Sequence, residues 1–113
     1  MDMMDVAMGL IAGAGDSRSY CIEAIELAKE GKFKEAREAL SKADEGMIAA
    51  HDTQTDLIRA EMSGEGNPVS LLMVHAQDHL NLALIMRDVA DEFILVHEQL
   101  KELKDLKETE GKG

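Results

Sequence analysis

The chain has 113 residues, the length of a single domain, and its 23 acidic residues outnumber 12 basic ones to give a formal net charge of −11. The acidic residues are spread along the chain, which argues against nucleic acid or an anionic membrane surface as a partner. A single cysteine, Cys21, excludes an internal disulfide, and no run approaches the roughly 20 apolar residues of a membrane-spanning helix, so we expect a cytoplasmic protein without direct membrane insertion.

The first predicted helix covers residues 2–30 and ends at the break Glu30-Gly31-Lys32. Its small and apolar residues recur at spacings of three and four, which is typical of one helical face: Met4, Ala7, Ile11, Ala14, Cys21, Ile25 and Ala28. Glycines are concentrated in residues 9–15, although each costs about 1 kcal/mol in a helix interior. We therefore expect them to leave a groove that serves a function.

The second predicted helix covers residues 33–63 and repeats the same spacing over about three heptads. Its apolar row consists of Phe33, Ala36, Leu40, Ala43, Met47, Ala50 and Leu57. The glycine- and proline-containing segment 63–68 follows and predicts a second break.

The third predicted helix covers residues 68–106, with Asn67 as its N-cap and Pro68 at its first helical position. Its main apolar row consists of Leu72, Leu82, Met86, Val89, Phe93, Val96, Leu100 and Leu103. The charged, glycine-ended segment 107–113 is expected to fray. Residues 1–113 thus form one all-α domain, an up-down-up antiparallel three-helix bundle.

A second apolar row lies beside the first on the third helix, at Leu71, Val74 and Ile85. A helix that is apolar over such a width has more surface to bury than two partner helices can cover. The width of this face predicts self-association.

Polar residues interrupt the apolar rows at four positions, and buried polar groups cost free energy unless they are paired. These positions are Arg18 in the first helix, Gln54 in the second, and His75 and His79 in the third. Counting away from each turn of an antiparallel bundle places Gln54, His51, the two histidines and the glycines of residues 9–15 in one layer.

The histidines admit three interpretations. A neutral histidine can attack a phosphoryl group and pass it on, or the polar layer can fix the register of a purely structural bundle. Alternatively, the chain is a metal-binding helical bundle with His51, His75, Asp78 and His79 as ligands. If third helices met on a symmetry axis, copies of Asp78 would repel one another unless a proton or a cation lay between them.

The segment PVSLLMVHAQDHL, residues 68–80, closely resembles the signature of the lactose/cellobiose (N,N'-diacetylchitobiose) class of IIA phosphocarriers of bacterial sugar phosphotransferase systems. The resemblance extends over nearly the whole chain, through GLIAGAGDSRS, EAIELAKEGKFKEA and AHDTQTDLIRAE. Asn81 departs from the methionine that usually follows this motif, one residue past its core.

The resemblance implies a phosphotransferase component that forms a homotrimer of nine helices. It would accept a phosphoryl group from the histidine phosphocarrier HPr and pass it to a sugar-specific IIB component, for uptake of a β-linked disaccharide. It implies that His75 is phosphorylated on Nε2 and that three copies of Asp78 bind one divalent ion, Mg²⁺. Gln77 and His79 belong to the same motif, and with Gln54 and His51 they form the predicted supporting set.

Overall fold

The computed structural model describes residues 2–111, which form three α-helices and no strand. The helices are α1 (Met3–Lys29), α2 (Phe33–Met62) and α3 (Leu71–Gly111). None of the three has a stretch both long and apolar enough to cross a membrane, within this described part of the chain. The predicted all-α, three-helix class is confirmed.

The ends of α1 and α2 follow from local chemistry. The Asp2 side chain accepts a hydrogen bond from the Met4 backbone N–H at 3.0 Å and so caps α1. Gly31 and Gly64 take φ values of 77° and 82°, a left-handed conformation that glycine adopts without steric cost, and each ends the helix before it. Both boundaries lie within one residue of the prediction.

The third helix begins three residues later than predicted. Ser70 is its cap, since the Ser70 hydroxyl accepts a hydrogen bond from the Met73 backbone N–H at 3.1 Å. The prediction that Asn67 caps the helix and Pro68 begins it is therefore wrong. The Ser70 hydroxyl, three residues before Met73, accepts the hydrogen bond of a backbone N–H that has no partner within the helix.

The far end of α3 is helical to Gly111, so the prediction of a frayed tail is wrong for residues 107–111, while residues 112–113 lie outside the described residues. Lys101 and Asp105 form an ion pair at 2.8 Å, and the Thr109 hydroxyl donates to the Asp105 carbonyl at 2.9 Å. Lysine, glutamate and leucine are strong helix formers, and such i,i+4 pairs add further support.

Helices that are consecutive in the sequence are antiparallel, because the residues in contact run in opposite orders along the two helices. This is seen in the pairs Ser17–Ala43, Gly13–Ala50, Gln54–Gln77 and Arg37–Glu98. Helices α1 and α3 are consequently parallel. The predicted up-down-up order is that of the structure.

The core is built mostly of alanine and forms two buried clusters. One contains Cys21, Ala24, Ala28, Ala36, Ala39, Leu40, Ala43, Ala90 and Ile94, and the other Ala7, Leu10, Ala14, Met47, Ala50, Ala76, Leu80 and Ala83. Burial, followed by the charge of Asp44, raises the pKa of the Cys21 thiol. Cys21 is therefore a packed and unreactive side chain, as expected.

The polar residue inside the α1 row is Ser17, not Arg18. Ser17 is completely buried and donates a hydrogen bond to the Ala43 carbonyl at 2.9 Å, whereas Arg18 is exposed. The prediction placed Arg18 in the apolar row because it follows Ala14 by four positions, but Ser17 follows it by three and lies closer to the centre of the buried face.

The buried face of α3 also differs from the prediction. It consists of Ala76, Leu80, Ala83, Ala90 and Ile94, while six of the eight residues of the predicted main row are exposed: Leu82, Val89, Phe93, Val96, Leu100 and Leu103. Alanines allow α3 to approach its neighbours closely, so the row of small residues faces inward and the row of large ones outward.

A polar seam joins α2 to α3. The Arg87 guanidinium donates two hydrogen bonds to the Asp44 carboxylate, at 2.7 and 3.1 Å, and the first of them raises the pKa of Arg87. Asp91 lies within 3.6 Å of Arg37 and 3.8 Å of Arg87. These groups are partly exposed, so each pair contributes at most about 1 kcal/mol, and the seam mainly sets the register of the two helices.

Replacing Gly13 with alanine is expected to stabilise the fold. A Cβ at this position would lie 3.8 Å from the Ala50 Cβ and from the Gly46 carbonyl oxygen, which is ordinary van der Waals contact. The substitution would raise the free energy of unfolding by about 0.5–1 kcal/mol through lower chain entropy in the unfolded state. Urea denaturation at fixed protein concentration measures the change. A lower unfolding midpoint would contradict the expectation.

Candidate functional site

Two histidines pair on the outer surface of α3, one helical turn apart. The Nε2 atoms of His75 and His79 are 3.0 Å apart, and the two rings meet edge to face with centroids 4.5 Å apart. Such a contact needs one N–H donor and one nitrogen with a free electron pair. When His79 donates, the electron pair of the His75 Nε2 accepts this hydrogen bond, and it becomes a nucleophile once the N–H of His79 turns away. The His75 side chain itself is exposed.

The surroundings of His75 are apolar. It lies one turn after Leu71, near the capped beginning of α3, and lines a shallow surface cavity with Leu71 and Leu72. In the single chain this cavity is open to solvent, since Leu71 is 85% exposed and His75 is exposed as well.

Two glutamines form a hydrogen bond between α2 and α3. The Gln54 Nε2 donates to the Gln77 Oε1 at 2.6 Å, and the Gln77 Nε2 faces the Met73 sulfur at 3.7 Å. Both glutamines, with Met73, line a cavity of about 250 Å³ beside the loop that precedes α3. The side chains around it are otherwise mostly apolar.

The histidine pair and the glutamine pair lie on opposite flanks of α3. Residues two apart on an α-helix are separated by about 200° around its axis, so Gln77 points away from His75. The sequence predicts Gln54 level with His75 in one layer and Gln77 as a supporting residue, and within one chain neither glutamine adjoins His75. They lie at the right height along the bundle, but around its axis they are on the other side.

Two further predicted neighbours of His75 also lie elsewhere. His51 is exposed on α2, and no hydrogen bond, ion pair or ring contact joins it to either α3 histidine among residues 2–111. The groove formed by Gly9 and Gly13 exists, but it lies between α1 and α2, opposite Gly46, and His75 does not line it.

Asp78 interrupts a long exposed apolar surface, here called the α3 stripe, near the end where α3 begins. The stripe consists of Leu71, Val74, Leu82, Ile85, Val89, Phe93, Val96, Leu100 and Leu103, at spacings of three and four. Asp78 is four residues from both Val74 and Leu82, and within the described chain no ion pair neutralises it. A carboxylate in this position would be costly to bury without a counter-charge.

A single chain offers no ready metal site. Among residues 2–111, no three histidine, cysteine, aspartate or glutamate side chains are grouped closely enough to hold an ion. The alternative set of His51, His75, Asp78 and His79 is therefore not assembled within one subunit. Asp78 supplies one hard oxygen ligand, and the others would have to come from further copies of the chain.

The sequence of residues 5–98 matches the family described as the lactose/cellobiose-specific IIA subunit of the phosphotransferase system. The chain belongs to this family. As a member of the lactose/cellobiose IIA family, it is a phosphoryl-carrying component of a sugar phosphotransferase system. The sequence resemblance drawn from residues 68–80 is thereby confirmed.

Relatives and solved structures agree with membership of the IIA family. The galactose-specific EIIA component of Lactococcus lactis subsp. cremoris is 41% identical over 92% of this chain and 90% of its own length. The crystal structure of the cellobiose-specific enzyme IIA from Bacillus anthracis superposes with a TM-score of 0.85 at 41% identity, over 90% of this chain and 94% of that one.

A third comparison involves a protein complex. The IIA component in the solution structures of the Escherichia coli IIA(chitobiose)–HPr complex has a TM-score of 0.78 and 36% identity, over 89% of this chain and 98% of that one. Members of the IIA family that serve different sugars thus share this bundle.

Proposed function

We propose that His75 accepts a phosphoryl group from phosphorylated HPr and passes it to a sugar-specific IIB component. The observation that carries the proposal is the exposed His75 side chain, whose Nε2 lies 3.0 Å from the Nε2 of His79 in a chain of the IIA family. The related IIA(chitobiose) protein forms a complex with HPr, which supports HPr as the donor. The carrier would work in the cytoplasm, where HPr and the IIB component would meet it.

The chemical step is an in-line displacement. The electron pair of the His75 Nε2 attacks the phosphorus of the donor phosphohistidine, a new N–P bond forms, and the donor N–P bond breaks with its electron pair returning to the donor imidazole. His75 carries its own proton on Nδ1 during the attack. The N–H of His79 is then free to turn from the His75 nitrogen to a phosphoryl oxygen, where it stabilises negative charge.

Self-association would complete this site. The α3 stripe is too extensive to remain in water, and three copies packed on it give the homotrimer of nine helices. In a threefold arrangement each contact joins one flank of a helix to the opposite flank of its neighbour. The His75 flank of one subunit therefore faces the Gln77 flank of the next, and the Gln54–Gln77 pair would come from the neighbouring subunit.

Three copies of Asp78 would converge on the axis of this trimer. Their oxygen ligands suit a hard divalent cation such as Mg²⁺, which would neutralise carboxylates that otherwise repel one another. A divalent ion would fit this site only in the trimer, because each chain contributes a single Asp78 carboxylate. In this proposal the ion is structural, and the chemistry of transfer belongs to His75 and its neighbours.

The Asp78→Leu variant is expected to remain a folded trimer that no longer responds to divalent ions, since leucine continues the apolar stripe and removes the repulsion. Analytical ultracentrifugation with and without EDTA measures this. Chelation should lower the association constant of the wild-type protein by about tenfold or more, which corresponds to about 1.4 kcal/mol, and so shift it toward smaller species. The association constant of the variant should not change. An Asp78→Leu protein that is monomeric would show that the ion is an obligatory tie.

The transported sugar is proposed to be a β-linked disaccharide of the lactose, cellobiose or chitobiose type. Relatives named as specific for cellobiose, N,N'-diacetylchitobiose and lactose, at 40%, 40% and 36% identity, support this class of sugar. The test of the carrier function is the intact mass of the protein after incubation with phosphoenolpyruvate, enzyme I and HPr. An acid-labile phosphoryl adduct supports the proposal, and its absence with a competent HPr control would overturn it.

A further inference from the structure

The glutamine pair is asymmetric in the quality of its hydrogen bonds. At one end of the Gln77 amide, the oxygen accepts a short bond of 2.6 Å from Gln54. At the other end, the partner of the nitrogen among residues 2–111 is the Met73 sulfur at 3.7 Å, and a thioether is a weak acceptor. The stronger bond therefore determines which way the amide is turned.

The orientation of this amide decides what it can offer a ligand. A side-chain amide turned by 180° exchanges its donor for its acceptor. If Gln77 turned over, its NH₂ group would face the NH₂ group of Gln54, and two donors would oppose each other. With Gln54 oriented as observed, its N–H group keeps the Gln77 oxygen directed at α2 and leaves the Gln77 N–H groups available.

We propose that Gln54 is a positioning residue, which holds the Gln77 amide with its N–H groups ready for an oxygen of the phosphoryl group on His75 of the adjacent subunit. This inference rests on the proposed function and on the proposed trimer. An anionic oxygen is a far better acceptor than sulfur, so the phosphoryl group displaces Met73 as the partner of Gln77. Gln54 itself does not touch the phosphoryl group.

The Gln54→Glu substitution tests this role, because glutamate has nearly the same shape and only accepts hydrogen bonds. The introduced carboxylate would draw the Gln77 N–H groups toward α2 and turn the Gln77 oxygen toward the phosphoryl group. Transfer from phosphorylated HPr, followed by rapid-quench mass spectrometry, is expected to slow about tenfold, as for one lost hydrogen bond to a charged acceptor. Gln99→Glu is the matched control, since it adds the same charge at an exposed position far along α3.

A second pair of variants separates positioning from charge repulsion or altered folding. In a Gln77→Ala background there is no amide to orient, so Gln54→Glu should change the transfer rate by less than about twofold. An equal slowing in both backgrounds, or a wild-type rate in the Gln54→Glu protein, would overturn the role of Gln54. If wild-type protein gains no phosphoryl group at all, the proposed function fails, and the inference with it.

Nuclear magnetic resonance distinguishes positioning by Gln54 from a purely structural role of Gln54, because only positioning predicts a change at the Gln77 amide on phosphorylation. The side-chain NH₂ signals of Gln77 should shift on phosphorylation of the wild-type protein, because these protons change partner from sulfur to a phosphoryl oxygen. In the Gln54→Glu protein they should not shift on phosphorylation. Unshifted Gln77 signals in phosphorylated wild-type protein would overturn the inference even if the rates agreed with it.

Discussion

Replacing His75 with alanine is expected to lower phosphoryl acceptance to below about one-thousandth of the wild-type rate, because the nitrogen that forms the new bond is gone. His75 is exposed on α3 and takes no part in the alanine core. The bundle and its assembly should therefore be unaffected. Intact mass after incubation with phosphoenolpyruvate, enzyme I and HPr measures the loss, and circular dichroism checks the fold.

His79→Ala and His97→Ala are the matched controls for this experiment. His79→Ala should still be phosphorylated, though more slowly, because in the proposed mechanism the Nε2 of His79, 3.0 Å from that of His75, supports the transfer but does not receive the phosphoryl group. His97 stacks on Phe93 near the other end of α3, with ring centroids 6.4 Å apart, and its loss should leave transfer unchanged. A His75→Ala protein that still gains an acid-labile phosphoryl group would refute the assignment of His75.

Replacing Ile85 with lysine is expected to convert the proposed trimer into monomers, with about a threefold fall in molar mass by analytical ultracentrifugation. Ile85 is 61% exposed in the single chain and lies in the middle of the α3 stripe. In a threefold assembly three lysines would meet near the axis, where burying unpaired charge costs several kcal/mol per group. The monomer should also accept phosphoryl groups more slowly, because Gln77 would no longer reach His75.

Ala12→Lys is the matched control for Ile85→Lys. Ala12 is exposed and lies two residues from the buried Leu10 and Ala14, so it occupies the outer face of α1. The control should keep the wild-type mass. An Ile85→Lys protein that keeps the wild-type mass would show that the α3 stripe is not the contact between subunits.

The sequence was sufficient to predict that there are three helices and that His75 and His79 share one helical face. Gly31 and Gly64 end helices where their backbone freedom predicts, and the apolar row of α2 is buried almost as expected. Four-residue spacing places two histidines on one face of a helix whatever the rest of the fold does. Helix ends and four-residue spacing depend on residues that are close together in the sequence. Both can therefore be predicted from the sequence alone.

The orientation of α3 could not be predicted in the same way, because two of its faces are apolar. Ala76, Ala83 and Ala90 point inward, and Leu82, Ile85 and Val89 point outward. Hydrophobicity alone favours burying the larger residues, but the choice depends on how closely α1 and α2 approach. The same uncertainty in rotation left open on which flank of α3 each predicted supporting residue lies, and the structure puts Gln77 on the flank opposite His75.

The alanines of the core have a consequence for which sequence changes this fold can tolerate. Ala76, Ala83 and Ala90 are completely buried where α3 packs against its neighbours. Any larger side chain there would force helices apart, and such overpacking typically costs about 1–3 kcal/mol. Natural variation at these sites should therefore be limited by size as well as by polarity. A conservative change from alanine to leucine would be among the most damaging that α3 could undergo.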